Sequence, residues 1–180
     1  MMFLFPYSLV VPNNDNIKPV VKTVVKETKI NYSQYPKILV FIANKNQRGK
    51  GILLAVNSKE SKIEGIFKAL SGVGGREDQP MRGPLPSQKN VQTTRYMVDS
   101  DPLILSNPGI AGKFYKINPH LVKVKGTTRG DFGIHFDANV PGTAGCIGIE
   151  DPQQWAAFKE LMKHYSQSGL TQIPLLVAYR

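Results

Sequence analysis

The sequence predicts a mainly β protein with one helix, its strands forming a sandwich or barrel-like architecture. Three observations carry this. Short β-compatible runs recur from Lys37 to Phe136, punctuated by Gly, Pro and Asn clusters. Only the stretch after Glu150 combines a helical apolar stripe with capping residues at both ends. The 180 residues are 41% hydrophobic and 20% charged, a balance that suits one globular core and excludes a disordered chain.

Taken in order, residues 1–34 alternate Pro, Asn and Lys with β-branched pairs such as Val20-Val21 and Val24-Val25, and read as an N-terminal arm or leading strand. Tyr35-Pro36 opens the main domain, 35–180. Lys37–Ala43 and Gly51–Asn57 are apolar runs joined by the basic turn Asn44–Lys50, which predicts a hairpin. From Ile63 to Leu70, helical and strand spacings fit equally well. Gly72–Arg76 lacks the Lys-Ser/Thr that closes a phosphate loop and reads as an ordinary loop. Thr94–Val98, Pro102–Leu105, Lys113–Asn118, Leu121–Lys125 and Phe132–Phe136 are short strands. In the helix, Asp151 is the N-cap, Pro152 takes the first position and Gln154 completes a capping-box pattern. Trp155, Phe158, Leu161, Met162 and Tyr165 form its apolar stripe, Gly169 stops it, and Ile173–Tyr179 is the last strand.

The formal net charge of +10 favours an anionic partner or surface. The basic residues are dispersed and no nucleic-acid-binding motif appears, so nucleic acid is not the expected partner. One cysteine excludes an internal disulfide and a multi-cysteine metal site. His120 and His164 lack Glu, Asp or Cys at ligand spacing, so neither metal nor cofactor is expected. No run approaches the ~20 apolar residues of a membrane span. Met1–Pro12 lacks the basic start and cleavage site of a signal peptide.

Function concentrates between Gly133 and Glu150. Cys146, the lone cysteine, follows His135 by eleven positions, across turn formers Asp137, Asn139, Pro141 and Gly142. A lone cysteine is usually a small buried hydrophobe. Three features set this one apart. Gly145 before it permits a tight turn and a close approach of substrate to the backbone. Consecutive N–H groups at Gly145 and Cys146 can form an oxyanion hole. Gly142 and Gly148 leave the thiol uncrowded. A thiol beside an imidazole is an activated nucleophile.

The run Ile134-His135, a short loop, then Thr143-Ala144-Gly145-Cys146-Ile147 resembles the active-site signature of the L,D-transpeptidase catalytic domain. Ala144 stands where many members carry a second His. The resemblance is nearest a divergent, short-loop branch that also has a Gly-Pro-x-Pro segment, here Gly83-Pro84-Leu85-Pro86, and it spans roughly Tyr35 to Arg180. It implies the β-rich L,D-transpeptidase fold and a Cys146 nucleophile served by His135. Peptidoglycan stem peptides would be acylated onto the thiol with release of D-alanine, at the cell wall with its anionic surface. No export signal is evident, so delivery by a virion or secretion device is the expected alternative to export. The resemblance also implies a backbone carbonyl orienting His135, at Phe136 or Gly133. Thr143 is expected to steady the loop at the substrate, and Arg129, six before His135, to pair with a substrate carboxylate. Asp137 reads as a turn former. The competing reading is a virion-associated or structural wall-binding protein that keeps the fold without turnover.

Overall fold

The computed structural model describes residues 14–47, 49–91, 94–138 and 141–180. A helix, α1 (Asn14–Thr28), precedes three consecutive antiparallel strands, β1 (Lys37–Asn44), β2 (Lys50–Asn57) and β3 (Lys62–Ser71). A winding segment holding the short helix α2 (Gln88–Val91) leads to β4 (Tyr96–Asp99), β5 (Leu103–Leu105) and β6 (Gly112–Asn118). The ribbon of β7 (Leu121–Val124) and β8 (Thr127–Gly130) follows. Then come β9 (Gly133–Phe136), β10 (Ile147–Ile149), the helix α3 (Pro152–Gln167) and β11 (Gln172–Tyr179).

Nine strands share one sheet in the order β4-β11-β1-β2-β3-β10-β9-β6-β5. A further pairing, Met97 opposite Asn118 and Val98 opposite Ile117, joins β4 back to β6 and closes eight of them into a barrel-like ring. Closure removes the exposed edges that an open sheet of this size would present. The expected mainly-β, barrel-like class therefore stands, with the correction that there are short and long helices besides α3.

The main correction is α1. Val20–Val25 was expected to be extended, and β-propensity favours that locally. Ile17, Val21 and Val24 nevertheless recur at helical spacing, and as a helix they bury one stripe against Ile38, Val40, Leu54, Val56 and Leu176 of the sheet. Tertiary burial outweighs the local preference. The same packing explains the unbroken apolar run of β1. Leu39, Phe41 and Ala43 face the main core, where Phe158, Met162 and Tyr165 of α3 lie, while Ile38 and Val40 face α1. A strand covered on both faces has no polar side to alternate with.

The cap of α3 forms as expected, with the Asp151 carboxylate accepting from the N–H groups of Gln153 (2.8 Å) and Gln154 (2.9 Å). Gln154 does not complete the capping box: its Oε1 accepts from the Lys68 N–H at 2.6 Å and ties the helix to β3. Gly169 ends the helix at φ +89°. Among the described residues, no helix is long and apolar enough to cross a membrane.

Candidate active site

The strand registers place the candidate residues. β9 and β10 run parallel, with Ile134 opposite Ile147 and His135 opposite Gly148. One step back along that register, Cys146 stands beside Gly133. On the other side of β9, β6 sets Phe114 opposite His135 and Lys116 opposite Gly133. Cross-strand neighbours share a face. Lys116, Gly133 and Cys146 therefore form one row, and Phe114, His135 and Gly148 the next. Tyr115, Ile134 and Ile147 between them turn into the main core. Carried one residue past its last pair, the ladder sets His135 and Cys146 on one face as diagonal neighbours.

His135 is only 4% exposed. Its Nδ1 lies 2.7 Å from the Phe136 carbonyl oxygen. A carbonyl can only accept, so Nδ1 carries the proton and Nε2 is left as the free acceptor. The Phe114 ring, 6.1 Å away and tilted by 19°, stacks on the imidazole and fixes its plane. Burial lowers the His135 pKa from its ordinary 6.5, opposed by the Phe136 carbonyl and the Asp137 carboxylate. At neutral pH the ring is uncharged and able to take a proton. Of the two orienting carbonyls expected, Phe136 supplies the bond. Asp137 does form the turn, its Oδ2 accepting from the Gly142 N–H at 3.4 Å.

The half-buried Cys146 thiol faces the Asp131 carbonyl oxygen, 3.7 Å away. Burial pushes its pKa up to about 11, with a small upward push from Asp131, while the Gly133 N–H and Arg129 favour the thiolate. No hydrogen bond among the described residues joins the sulfur to His135. At rest the thiol and the imidazole are each neutral, with no preformed ion pair between them.

Cys146 opens into a groove of about 390 Å³. Leu103, Ile110 and Phe114 make its apolar wall and Lys116, His120 and Asp131 its polar one. His120 Nδ1 sits 3.2 Å from Asp131 Oδ1. No spacing in the sequence places His120 at the site. It arrives because β7 and β8 loop out and return, bringing the residues at the foot of the ribbon together across the groove.

Arg129 corrects the sequence reading. It is buried rather than open to a substrate carboxylate. Its Nη1 donates to the carbonyls of Glu77 and Pro84, both at 2.6 Å, and its Nη2 to those of Gly83 (2.9 Å) and Ala144 (3.1 Å). Both terminal nitrogens are committed to the backbone. The role of Gly-Pro-x-Pro follows: the Gly83 and Pro84 carbonyls receive Arg129, Leu85 receives the Tyr179 hydroxyl, and Pro86 receives the Tyr96 hydroxyl. Ser71, which the sequence did not single out, joins this segment to the cysteine loop. Its hydroxyl accepts from the Leu85 N–H (2.8 Å) and donates to the Gly145 carbonyl (3.2 Å).

Two further expectations shift. The Thr143 hydroxyl donates to the Cys146 carbonyl at 2.6 Å and accepts from the N–H groups of Gly72 (2.9 Å) and Gly145 (3.3 Å). It steadies the loop, but it is buried and saturated, with nothing left for substrate. The same bond spends the Gly145 N–H, so Gly145 does not donate to an oxyanion. Its need to be glycine has another cause. At φ +120°, a Cβ there would stand 2.5 Å from Arg129 Nη2 and 2.6 Å from the Phe132 ring. The close approach is made by the protein itself.

No family model matches this chain, and no curated protein matches it either. Functional assignment therefore rests on the residues and their geometry.

Proposed function

We propose that this protein is a cysteine acyltransferase of the L,D-transpeptidase type, acting on peptidoglycan stem peptides at the cell wall. The observation that carries the reading is the pairing on one sheet face of the lone cysteine, open to a groove, with a buried neutral histidine whose free nitrogen is fixed by the Phe136 carbonyl. The thiol proton passes to His135 Nε2 as the sulfur bonds to the peptide carbonyl carbon between a diamino acid and D-alanine. The C–N bond breaks, His135 returns the proton to the leaving amine, and a thioester remains. An acceptor amine then gives a cross-link or exchange, and water gives a trimmed peptide. The anionic wall suits the +10 charge. No step requires a cofactor.

The test is mass analysis of the products from a tetrapeptide donor. The wild-type chain is expected to form a thioester and release D-alanine. Cys146→Ala abolishes both with the fold intact, and His135→Ala slows acylation by roughly 10²–10⁴. Full activity in Cys146→Ala refutes the reading.

One observation supports a second reading, a virion-associated or structural wall-binding protein without turnover. The thiol pKa is raised to about 11 and the sulfur faces Asp131 instead of His135. Alkylation separates the two: a functional Cys146 reacts near neutral pH at a rate that falls in His135→Ala, and an inert one does not react.

A further inference from the structure

A second cavity lies far from the cysteine, where α1 crosses the sheet. It measures about 560 Å³, within the range of small-molecule sites. Its floor is apolar, with Val21, Ile38, Val40, Val56 and Ile63. Along the rim run Lys18, Lys22 and Lys26, one per turn of α1, and among the described residues no acidic one lines the groove. The lysines look dispersed in the sequence; the helix gathers them into a stripe. None of the three has an ion-pair partner among the described residues, and the Glu27 to Arg180 salt bridge of α1, at 3.0 Å, involves none of them.

The Tyr32 side chain lines this cavity, is 2% exposed, and its hydroxyl is buried without a hydrogen-bond partner. The oxygen itself is closed off from the groove, with Arg95 and Tyr35 as its titratable neighbours. Burial raises the Tyr32 pKa to about 12, so the group remains a neutral donor.

We propose that the groove under α1 binds a single-chain amphiphile with an anionic head, a long-chain carboxylate. Its acyl chain lies on the Val21–Ile63 floor, and its carboxylate meets the lysine rim. A protein partner fits less well, because a stable interface needs about 800 Å² from each side. A groove of this volume instead holds one extended chain.

The test uses the full chain with sodium dodecanoate, its methyl ester, vesicles of phosphatidylglycerol and an acidic peptide without an acyl group. Calorimetric titration is expected to show saturable, one-to-one binding of dodecanoate and at least ~10-fold weaker binding of the ester. Lys18→Glu/Lys22→Glu/Lys26→Glu, all at exposed positions, should weaken dodecanoate binding by about tenfold or more. Val25→Trp, which fills the groove, should abolish binding. Absence of saturable dodecanoate binding overturns the proposal. So does unchanged affinity in the triple-lysine variant, or binding of vesicles or acidic peptide alone.

Discussion

Arg129→Lys discriminates between an internal clamp and a substrate ligand. In the structure, Nη1 and Nη2 each serve two carbonyls, those of Glu77 and Pro84 and those of Gly83 and Ala144. A lysine ammonium is a single point on a shorter stem and cannot reach both pairs. At least two buried acceptors lose their donor, at about 1–3 kcal/mol each, or roughly 2–6 kcal/mol together. For a chain of this size, about 2–4 °C of Tm accompanies each kcal/mol, so Tm should fall by roughly 5–20 °C. Circular dichroism melting reads the stability, and intact-mass detection of the thioester reads the site. Acylation should fall because the Ala144–Cys146 loop loses its tether, with the deficit in rate rather than in KM. A Tm within ~2 °C of wild type together with a raised KM for substrates bearing a free carboxylate would refute the clamp and restore Arg129 as a ligand for substrate.

Other expectations follow from the same geometry. Because burial lowers the His135 pKa from its ordinary 6.5, the base takes up its proton only at a pH under that value. The acid limb of kcat/KM should therefore fall below that value and vanish in His135→Ala; a limb above pH 7 that survives the substitution contradicts the assignment. The linkage to stability has the same sign: the unfolded chain binds the proton more readily, so the His135 contribution is present above the unfolded pKa and is lost as pH falls through the folded one, which a Tm series across pH measures. Gly145→Ala imposes a strained φ worth about 1–3 kcal/mol plus the clash with Arg129 and Phe132, and should lower Tm by several degrees and quench acylation. Ala144 is exposed beside the thiol, so water and small amines should reach the thioester. Trimmed or exchanged peptide should then at least match cross-linked product, and predominantly dimeric muropeptide counts against this.

Much of this fold was legible because local signals agreed with burial. The β1–β2 hairpin and the cap of α3 needed no long-range information. The His135–Cys146 pairing could be read as a motif, though what enforces it, the parallel ladder of β9 and β10, could not. Where reading failed, the cause was a conflicting local signal or distance along the chain. α1 carried its stripe at Ile17, Val21 and Val24, but paired β-branched residues obscured it. The unbroken apolar run of β1 was a clue that a second cover existed. Arg129 meets carbonyls 45 to 52 positions away, and Ser71 reaches Gly145 across 74, contacts that no spacing rule encodes. His120 was set aside for lack of ligand company, yet its neighbour Asp131 is delivered by the return of β8.

The parallel pairing of β9 and β10 bears on how such a site can diversify. Neighbouring parallel strands cannot be joined by a tight turn, so the chain from Asp137 to Cys146 must travel back along the sheet before β10 begins. The length of that return path is not set by the pairing, while the relation between imidazole and sulfur is fixed by the ladder. Lengthening the path costs little closure entropy. Slipping the ladder by one residue would turn Cys146 to the opposite face from His135. Insertions here can reshape the mouth of the groove with the two reactive atoms undisturbed, whereas a single-residue deletion inside β9 or β10 separates them. The architecture decouples what the site accepts from what it does.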